Sequence, residues 1–169
     1  MTEEKNLTTQ KTSAQNLTND RFFVSLLEDD ENERKRLKEY LEQYAKENGV
    51  DFAVKAFAGV KDFEAGYEKS DLVLVDIELP DGNGFKVSEK LRKKDDDVMI
   101  IFVTNMAQYA VKGYEVEAFD FVVKPISYYS FSAKMERAMF KLKATKKTKE
   151  KTIVLKTVNS VITLSVSDI

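Results

Sequence analysis

The sequence contains no cysteine and no histidine. Without cysteine, neither a disulfide framework nor a thiolate metal site can form, and a reducing compartment is the simpler interpretation. Without histidine, serine–histidine triads, imidazole-bound zinc and a histidine that carries a phosphoryl group are all excluded. Any chemistry that this chain performs must therefore use carboxylates, hydroxyls and lysines.

Long apolar runs are also missing. No stretch approaches the roughly 20 apolar residues of a membrane span, and the polar residues 1–20 contain no apolar core of a signal peptide. With 43% hydrophobic residues, 33% charged residues and two prolines, the composition is that of a soluble globular protein. We therefore expect a cytoplasmic protein without membrane partners, built as one domain with short extensions, in which residues 1–20 are disordered.

The net charge of −2 is unevenly distributed along the chain. Residues 141–151 contain six lysines and one glutamate, so the remainder of the chain is acidic. We place a basic linker at residues 146–151. An acidic body joined to such a linker does not by itself predict a nucleic-acid-binding domain.

Short apolar runs alternate along the chain with segments of helical periodicity. The run at residues 21–27 ends in four consecutive acids, and the next apolar residues recur at helical spacing up to Asn48-Gly49, a typical helix stop. The same pattern then repeats. We predict strands at residues 21–27, 52–57, 72–75, 98–103 and 119–123, and helices at residues 31–48, 60–67, 84–93, 107–114 and 127–142.

Five strand–helix units in series predict an α/β fold with a doubly wound parallel sheet and helices on both faces. The third and fourth strands, LVLV and VMIIFV, are apolar without alternation and should be central. In this fold, active residues collect beyond the carboxyl ends of the strands, near the point where strand order reverses. Residues suited to chemistry stand there after four of the predicted strands: Glu28, Asp29, Asp76, Thr104 and Lys124.

Together these residue types suit phosphoryl transfer. Three neighbouring carboxylates repel one another unless a cation neutralises them, and oxygen ligands alone favour Mg²⁺. A carboxylate nucleophile, a metal, and a lysine and a hydroxyl that stabilise anionic oxygens complete the requirement. Taken singly, an acid or a threonine after a strand is more often a helix cap, and a lysine a solvated surface residue. Their equivalent positions at four strand ends favour a functional site.

Four segments, SLLEDDE, LVLVDIELPDGNGF, IIFVTN and FDFVVKPI, resemble in order and spacing the signatures of receiver domains of bacterial two-component response regulators. The resemblance covers about residues 21–145 and implies a flavodoxin-like five-stranded sheet of order 2-1-3-4-5. It implies these roles: metal ligands Glu28, Asp29, Asp76 and the backbone carbonyl of Glu78; phosphoacceptor Asp76; phosphate-contacting Lys124; switch residues Thr104 and Phe121; and a cis peptide bond before Pro125.

The same resemblance implies function and partners. A receiver accepts a phosphoryl group from a sensor histidine kinase in the presence of Mg²⁺ and then changes an output face that controls transcription. It is not a turnover enzyme. The fourth helix, fifth strand and fifth helix form that face, which implies a phosphorylation-dependent homodimer through it.

Three points stay open at the level of sequence. Asp30 competes for the metal pair, although the family places the first acid directly after the apolar strand, which favours Glu28 and Asp29. Asn105 stands where the family usually has a small residue, so slower phosphorylation or a pseudo-receiver that acts only as an interaction module is an alternative. Phosphatases of the haloacid dehalogenase class use similar groups, but their acidic pair follows the lysine instead of preceding the nucleophile.

The final segment, TIVLKTVNSVITLSVSDI, has two apolar-rich stretches around Asn159-Ser160, which predicts a hairpin and a short C-terminal β extension. With the receiver, it resembles LytTR-type regulators, whose DNA-binding domain consists of β-strands. We interpret residues 152–169 as the start of such a domain, truncated early, and a strand pair packed on the receiver is the alternative. DNA binding is then expected only through the missing domain.

Overall fold

The structure is a computed structural model that describes the backbone of residues 21–150, 152–157 and 160–165 and the side chains of residues 21–148. Residues 1–20, for which disorder was predicted, and Asn159 of the predicted turn lie outside the described residues. Within the described part, no helix combines the length and the apolar character that a bilayer span requires.

The first strand and the first helix have the predicted bounds: β1 is Arg21–Leu27 and α1 is Glu31–Asn48. Asp30 is the N-cap of α1, because its Oδ1 accepts a hydrogen bond of 2.9 Å from the backbone N–H of Glu33. Gly49 ends the helix in the left-handed conformation, at φ 61°, which glycine adopts without a steric penalty.

The remaining elements largely follow the predicted alternation. In chain order they are β2 (Asp51–Phe57), α2 (Val60–Gly66), β3 (Leu72–Val75), β4 (Glu78–Leu79), β5 (Gly82–Asn83), α3 (Gly84–Lys94), β6 (Met99–Thr104), the 3₁₀ segments η1 (Ala107–Tyr109) and η2 (Val111–Val116), β7 (Asp120–Val123), α4 (Tyr128–Glu150), β8 (Thr152–Thr157) and β9 (Ser160–Ser165). Strand and helix bounds differ from the predicted ones by a residue or so, except for two regions.

Five strands of the described chain form one parallel sheet in the order β2-β1-β3-β6-β7. When β6 and β7 are counted as its fourth and fifth strands, this is the predicted order 2-1-3-4-5. Strand order reverses between β1 and β3, so the loops after these two strands open onto the same crevice. The fold class is therefore confirmed as flavodoxin-like.

Each face of the sheet has its own buried core. α1 and α4 pack on one face against β1 side chains that include Phe22, Val24 and Leu26. α2, α3 and η2 pack on the other face against side chains that include Leu27 and Val75. Every residue of β3 and β6 is buried, as predicted for central strands. The sheet is thus a rigid support for the loops at its carboxyl edge.

One predicted element is wrong: η1 and η2 stand where an α-helix was predicted at residues 107–114. Their backbone bonds span three residues, as in the 3.0 Å bond from Tyr109 N to Met106 O. Gly113 and Val116 are the buried residues of the two segments. No buried apolar stripe therefore stabilises a longer α-helix here, and glycine lowers the helical propensity further.

α4 extends beyond its predicted end and runs through residues 146–150 of the predicted basic linker. The segment lacks glycine and proline, so nothing in its sequence stops the helix. Lys146 ties the extension to the start of the sheet, since its Nζ donates a 2.7 Å hydrogen bond to Arg21 O. The same ammonium lies 3.7 Å from Asp71 Oδ2 and 3.9 Å from the ring centre of Phe22.

β8 and β9 form an antiparallel hairpin in which Thr157 pairs with Ser160. The predicted β extension after the receiver is confirmed over residues 152–157 and 160–165. The interpretation of these residues as the start of a LytTR-like domain remains a prediction.

Candidate functional site

The candidate residues lie on loops that backbone hydrogen bonds attach to the neighbouring strands. Glu28 N donates to a carbonyl of β2 at 3.1 Å, and Asp76 N donates to a carbonyl of β1 at 2.8 Å. Lys124 N donates to Thr104 O at 3.0 Å. Each residue therefore sits one step beyond its own strand, held by the next strand of the sheet, and all of them share the carboxyl edge.

Three of the predicted metal ligands converge. Glu28, Asp29 and Asp76 each offer a carboxylate oxygen, and these oxygens all lie within 4.8 Å of one another. Glu28 and Asp76 are buried, whereas Asp29 is exposed to the crevice. Such a set of oxygen donors fits a small hard cation such as Mg²⁺, because buried carboxylates at this spacing need neutralisation and the ligand set contains no soft donor.

Lys124 supplies positive charge to the same cluster. Its Nζ lies 2.6 Å from Glu28 Oε2 and 2.7 Å from Asp76 Oδ2, and its side chain is only 7% exposed. Burial acts to lower the pKa of Lys124, but hydrogen bonds to the two carboxylates outweigh it, and the pKa is raised. The lysine therefore stays charged and bridges the acids from β1 and β3.

Glu28 has the most perturbed titration of the site. Burial raises its pKa from 4.5 to about 7, against the opposing effect of Lys124, and the charge of Asp76 raises it further. Burial therefore works against the ionisation of this carboxyl group, although both of its oxygens accept hydrogen bonds. A cation in the crevice would favour its ionised form.

Neither of the predicted switch residues belongs to the acidic cluster or lines the cavity described below. Thr104 is fully buried, and its Oγ1 accepts a 3.2 Å hydrogen bond from Met106 N. Phe121 is half-buried on β7, and its ring centre lies 5.9 Å from that of Phe102. Thr104 thus occupies the end of β6, and Phe121 stands on the adjoining edge strand.

Around the acids lies an open cavity of about 430 Å³. Its described lining consists of Glu28, Asp29, Asp30, Glu33, Asp76, Glu78, Asn105, Lys124 and Pro125. Glu78 is tied to the nucleophile candidate by a 3.2 Å hydrogen bond from its backbone N–H to Asp76 Oδ1. The peptide bond before Pro125 is cis, as predicted.

Asp30 does not belong to the group of three acids whose carboxylate oxygens converge. Its Oδ1 accepts the Glu33 N–H as the cap of α1, so this carboxylate is engaged at the helix terminus. Asp30 lines the outer part of the crevice, while the oxygens that gather with Asp76 belong to Glu28 and Asp29. Asp-x-x-Glu ahead of an apolar helix was a signal for this cap in the sequence.

Two positioning residues were missed from the sequence. Arg34 Nη1 donates to Glu28 O at 2.8 Å and to Asp29 O at 2.9 Å, which orients the peptide that carries both acids. Gly84 lies against Asp76 so closely that a Cβ built on it would be 1.9 Å from the Asp76 carbonyl oxygen. Asn83-Gly84 at a helix start gave only a weak signal, and Arg34 gave none beyond helical spacing.

Comparison with known proteins agrees with this geometry. The family model described as response regulator receiver domain matches residues 24–136. The sensory transduction protein LytT of Bacillus anthracis is 38% identical over 88 residues, which are 52% of this chain and 33% of LytT. The chain thus spans about a third of the length of this relative.

Solved structures show the same likeness. The non-phosphorylated HemR receiver domain of Leptospira biflexa is 35% identical, with a TM-score of 0.62 over 69% of this chain and 93% of that one. The response regulator protein TrrA of Thermotoga maritima, solved in complex with Mg²⁺–BeF, is 27% identical, with a TM-score of 0.57 over 69% of this chain and 98% of TrrA. Since the family model covers more than half of the sequence, the chain belongs to the response regulator receiver domain family.

Proposed function

We propose that Asp76 accepts a phosphoryl group from a sensor histidine kinase in a Mg²⁺-dependent reaction. The observation that carries this proposal is that Glu28, Asp29 and Lys124 surround the Asp76 carboxylate in the lining of an open cavity. Receiver membership and the order of the motifs favour this reaction over a haloacid dehalogenase type of hydrolysis.

In the proposed step, an Asp76 carboxylate oxygen forms a bond to phosphorus while the bond from phosphorus to the donor breaks, and the donor keeps that electron pair. Glu28, Asp29, Asp76 and the backbone carbonyl of Glu78 would hold Mg²⁺, which supplies neutralising charge at the phosphoryl oxygens. Lys124, already 2.7 Å from Asp76 Oδ2, offers its ammonium group to the same oxygens.

The proposed output is a change of the face formed by η1, η2, β7 and α4. Once Asp76 is phosphorylated, the Thr104 hydroxyl turns toward the phosphoryl group and Phe121 moves inward behind it. This face exposes the large apolar side chains Val111, Tyr114 and Phe140. We infer that it supports a phosphorylation-dependent homodimer, with a second copy covering these side chains.

The wider setting is also a proposal. Similarity to LytT, together with the hairpin of β8 and β9, supports a cytoplasmic regulator whose receiver controls a LytTR-type DNA-binding domain. In that setting the receiver carries out its own phosphorylation and dephosphorylation and does not turn over a substrate.

The test is intact-mass spectrometry after incubation with a small-molecule phosphodonor and Mg²⁺. We expect the wild type to gain the mass of one phosphoryl group, and expect no gain with a chelator or in Asp76→Asn. Asp96→Asn, on an exposed loop, is the matched control and should label normally. Labelling of Asp76→Asn would refute the assignment, and a wild type that never labels would favour the pseudo-receiver alternative.

A further inference from the structure

Glu33, on the first turn of α1, lines the same cavity as the acidic cluster. Its side chain is 23% exposed, and its Oε1 accepts a 2.7 Å hydrogen bond from Arg36 Nη1. The other oxygen, Oε2, is buried and has no hydrogen-bond partner among the residues that the structure describes. One half of this carboxylate is therefore fixed, and the other half is free to accept hydrogen bonds.

The usual local role of such a glutamate is not fulfilled here. Asp30 and Glu33 occupy the two positions of a capping box, in which the glutamate accepts a hydrogen bond from the backbone N–H of the cap residue. In this protein, Asp30 N donates instead to Glu28 Oε1, at 3.2 Å. The Asp30 N–H, which Glu33 would accept in a capping box, is thus bound to Glu28. The carboxylate of Glu33 remains in the lining of the cavity.

A buried carboxylate oxygen without a partner is costly, because it has lost its hydration and gained no donor in return. Mg²⁺ in proteins usually keeps several of its water molecules, and each of them has hydrogens to donate. Residues that accept these hydrogen bonds orient the coordinated water and strengthen metal binding without touching the metal.

We propose that Glu33 is an outer-shell positioning residue of the metal site, whose Oε2 accepts a hydrogen bond from metal-bound water. This inference rests on the proposed Mg²⁺ site of Glu28, Asp29 and Asp76. Glu33 would be the fourth carboxylate of the site and the one that α1 supplies. Its hydrogen bond would hold the metal-bound water in place relative to this helix. Glu33 also brings negative charge to the cavity that the buried Lys124 lines.

The test is calorimetric titration of the full chain with Mg²⁺, at low salt and at about 0.5 M KCl, where exposed charges more than about 5 Å apart are largely screened. We expect Glu33→Gln to weaken Mg²⁺ binding about 10-fold at both salt concentrations, in line with other outer-shell partners. An amide cannot satisfy both needs: with its oxygen toward Arg36, it turns an NH₂ donor toward the water.

Two variants serve as controls. Glu31→Gln removes the same charge from an exposed position of the same helical turn, and its effect should vanish at high salt. Arg36→Met removes the partner of Oε1 and leaves Oε2 in place, so it should not weaken Mg²⁺ binding. Thermal unfolding of every variant in chelator shows whether the fold itself has changed.

The inference is overturned if Glu33→Gln equals Glu31→Gln at high salt, or if Arg36→Met weakens binding as much as Glu33→Gln. If Glu33→Gln unfolds early in chelator, the rise of its unfolding temperature on adding Mg²⁺ is compared with that of the wild type, and an equal rise also overturns it. If the wild type binds no Mg²⁺, the proposed metal site itself is wrong. If the wild type binds Mg²⁺ and Glu33→Gln binds it equally well, only the role of Glu33 is wrong.

Discussion

Lys124 and Asp76, which belong to different strand ends, form an ion pair of 2.7 Å in which both side chains are 7% exposed. Removing one partner of a buried pair leaves an uncompensated charge, which typically costs about 3 to 5 kcal/mol. We therefore expect Lys124→Met to lower the unfolding free energy by about 3 kcal/mol at pH 8 without metal, measured by urea unfolding with circular dichroism. Mg²⁺ should restore part of the loss.

The control for Lys124→Met is Lys134→Met. Lys134 lies 2.7 Å from Asp120 Oδ1, but its side chain is 31% exposed and Arg137 also pairs with Asp120. Its loss should cost less than about 1 kcal/mol. Equal stability of Lys124→Met and wild type at pH 8 would contradict the buried bridge.

The stability of the metal-free protein should depend on the ionisation of Glu28. A carboxyl group whose pKa is raised from 4.5 to about 7 stabilises the fold below pH 4.5, and this contribution is lost as the pH rises through about 7. The loss amounts to about 3 kcal/mol at most. We expect Glu28→Gln to remove this pH dependence. The unfolding free energy of the wild type minus that of the variant, measured by urea unfolding, should therefore fall as the pH rises from 4.5 to about 7.

We expect Mg²⁺ to reverse the sign of this dependence, because a metal held by Glu28 would bind its ionised form. Mg²⁺ affinity of the wild type should therefore fall as the pH is lowered through about 7. Glu28→Gln should bind Mg²⁺ weakly at every pH. If the variant binds as tightly as the wild type at pH 8, Glu28 is not a ligand.

Gly84 should not tolerate a side chain. A Cβ at this position would be 1.9 Å from Asp76 O and 2.7 Å from Val75 Cγ1, and the nearest of these atoms is backbone and cannot move aside. We expect Gly84→Ala to cost about 3 kcal/mol and to reduce the phosphorylation of Asp76, because the loop that carries the carboxylate must shift. Urea unfolding measures the loss of stability, and mass spectrometry measures the phosphorylation of Asp76.

Gly113→Ala is the matched control, since its Cβ would lie 3.5 Å from Ala118 Cβ, an ordinary contact. Stability should change by less than about 1 kcal/mol there. Full phosphorylation of Gly84→Ala would show that the loop adapts without moving Asp76.

The sequence predicted the sheet and the residues that gather at its carboxyl edge, because both depend on local pattern. Unbroken apolar runs marked the central strands, and the parallel topology brought Asp76 and Lys124 to one edge. The bridging geometry of Lys124 was beyond reach, because it depends on the packing of side chains from three loops. The 3₁₀ segments around Gly113 were missed because the apolar spacing of that stretch is compatible with an α-helix that tertiary packing does not support.

Thr104 and Phe121 should respond together to a phosphoryl mimic. The Thr104 hydroxyl oxygen now accepts the Met106 N–H at 3.2 Å, which leaves the hydroxyl hydrogen to be donated to an anionic oxygen placed on Asp76. The change is a population shift, so Phe121 need not hold one rotamer before activation. We expect structures of the wild type with and without Mg²⁺ and beryllofluoride to differ in the Phe121 rotamer and in η1 and η2.

Thr104→Ser keeps the hydroxyl and should keep the change, whereas Thr104→Val keeps the shape, lacks the donor and should lose it. Thr104→Val should also cost about 1 kcal/mol of stability, because the Met106 N–H loses its acceptor. Superimposable wild-type structures in the two states, or a full response in Thr104→Val, would remove Thr104 from the switch.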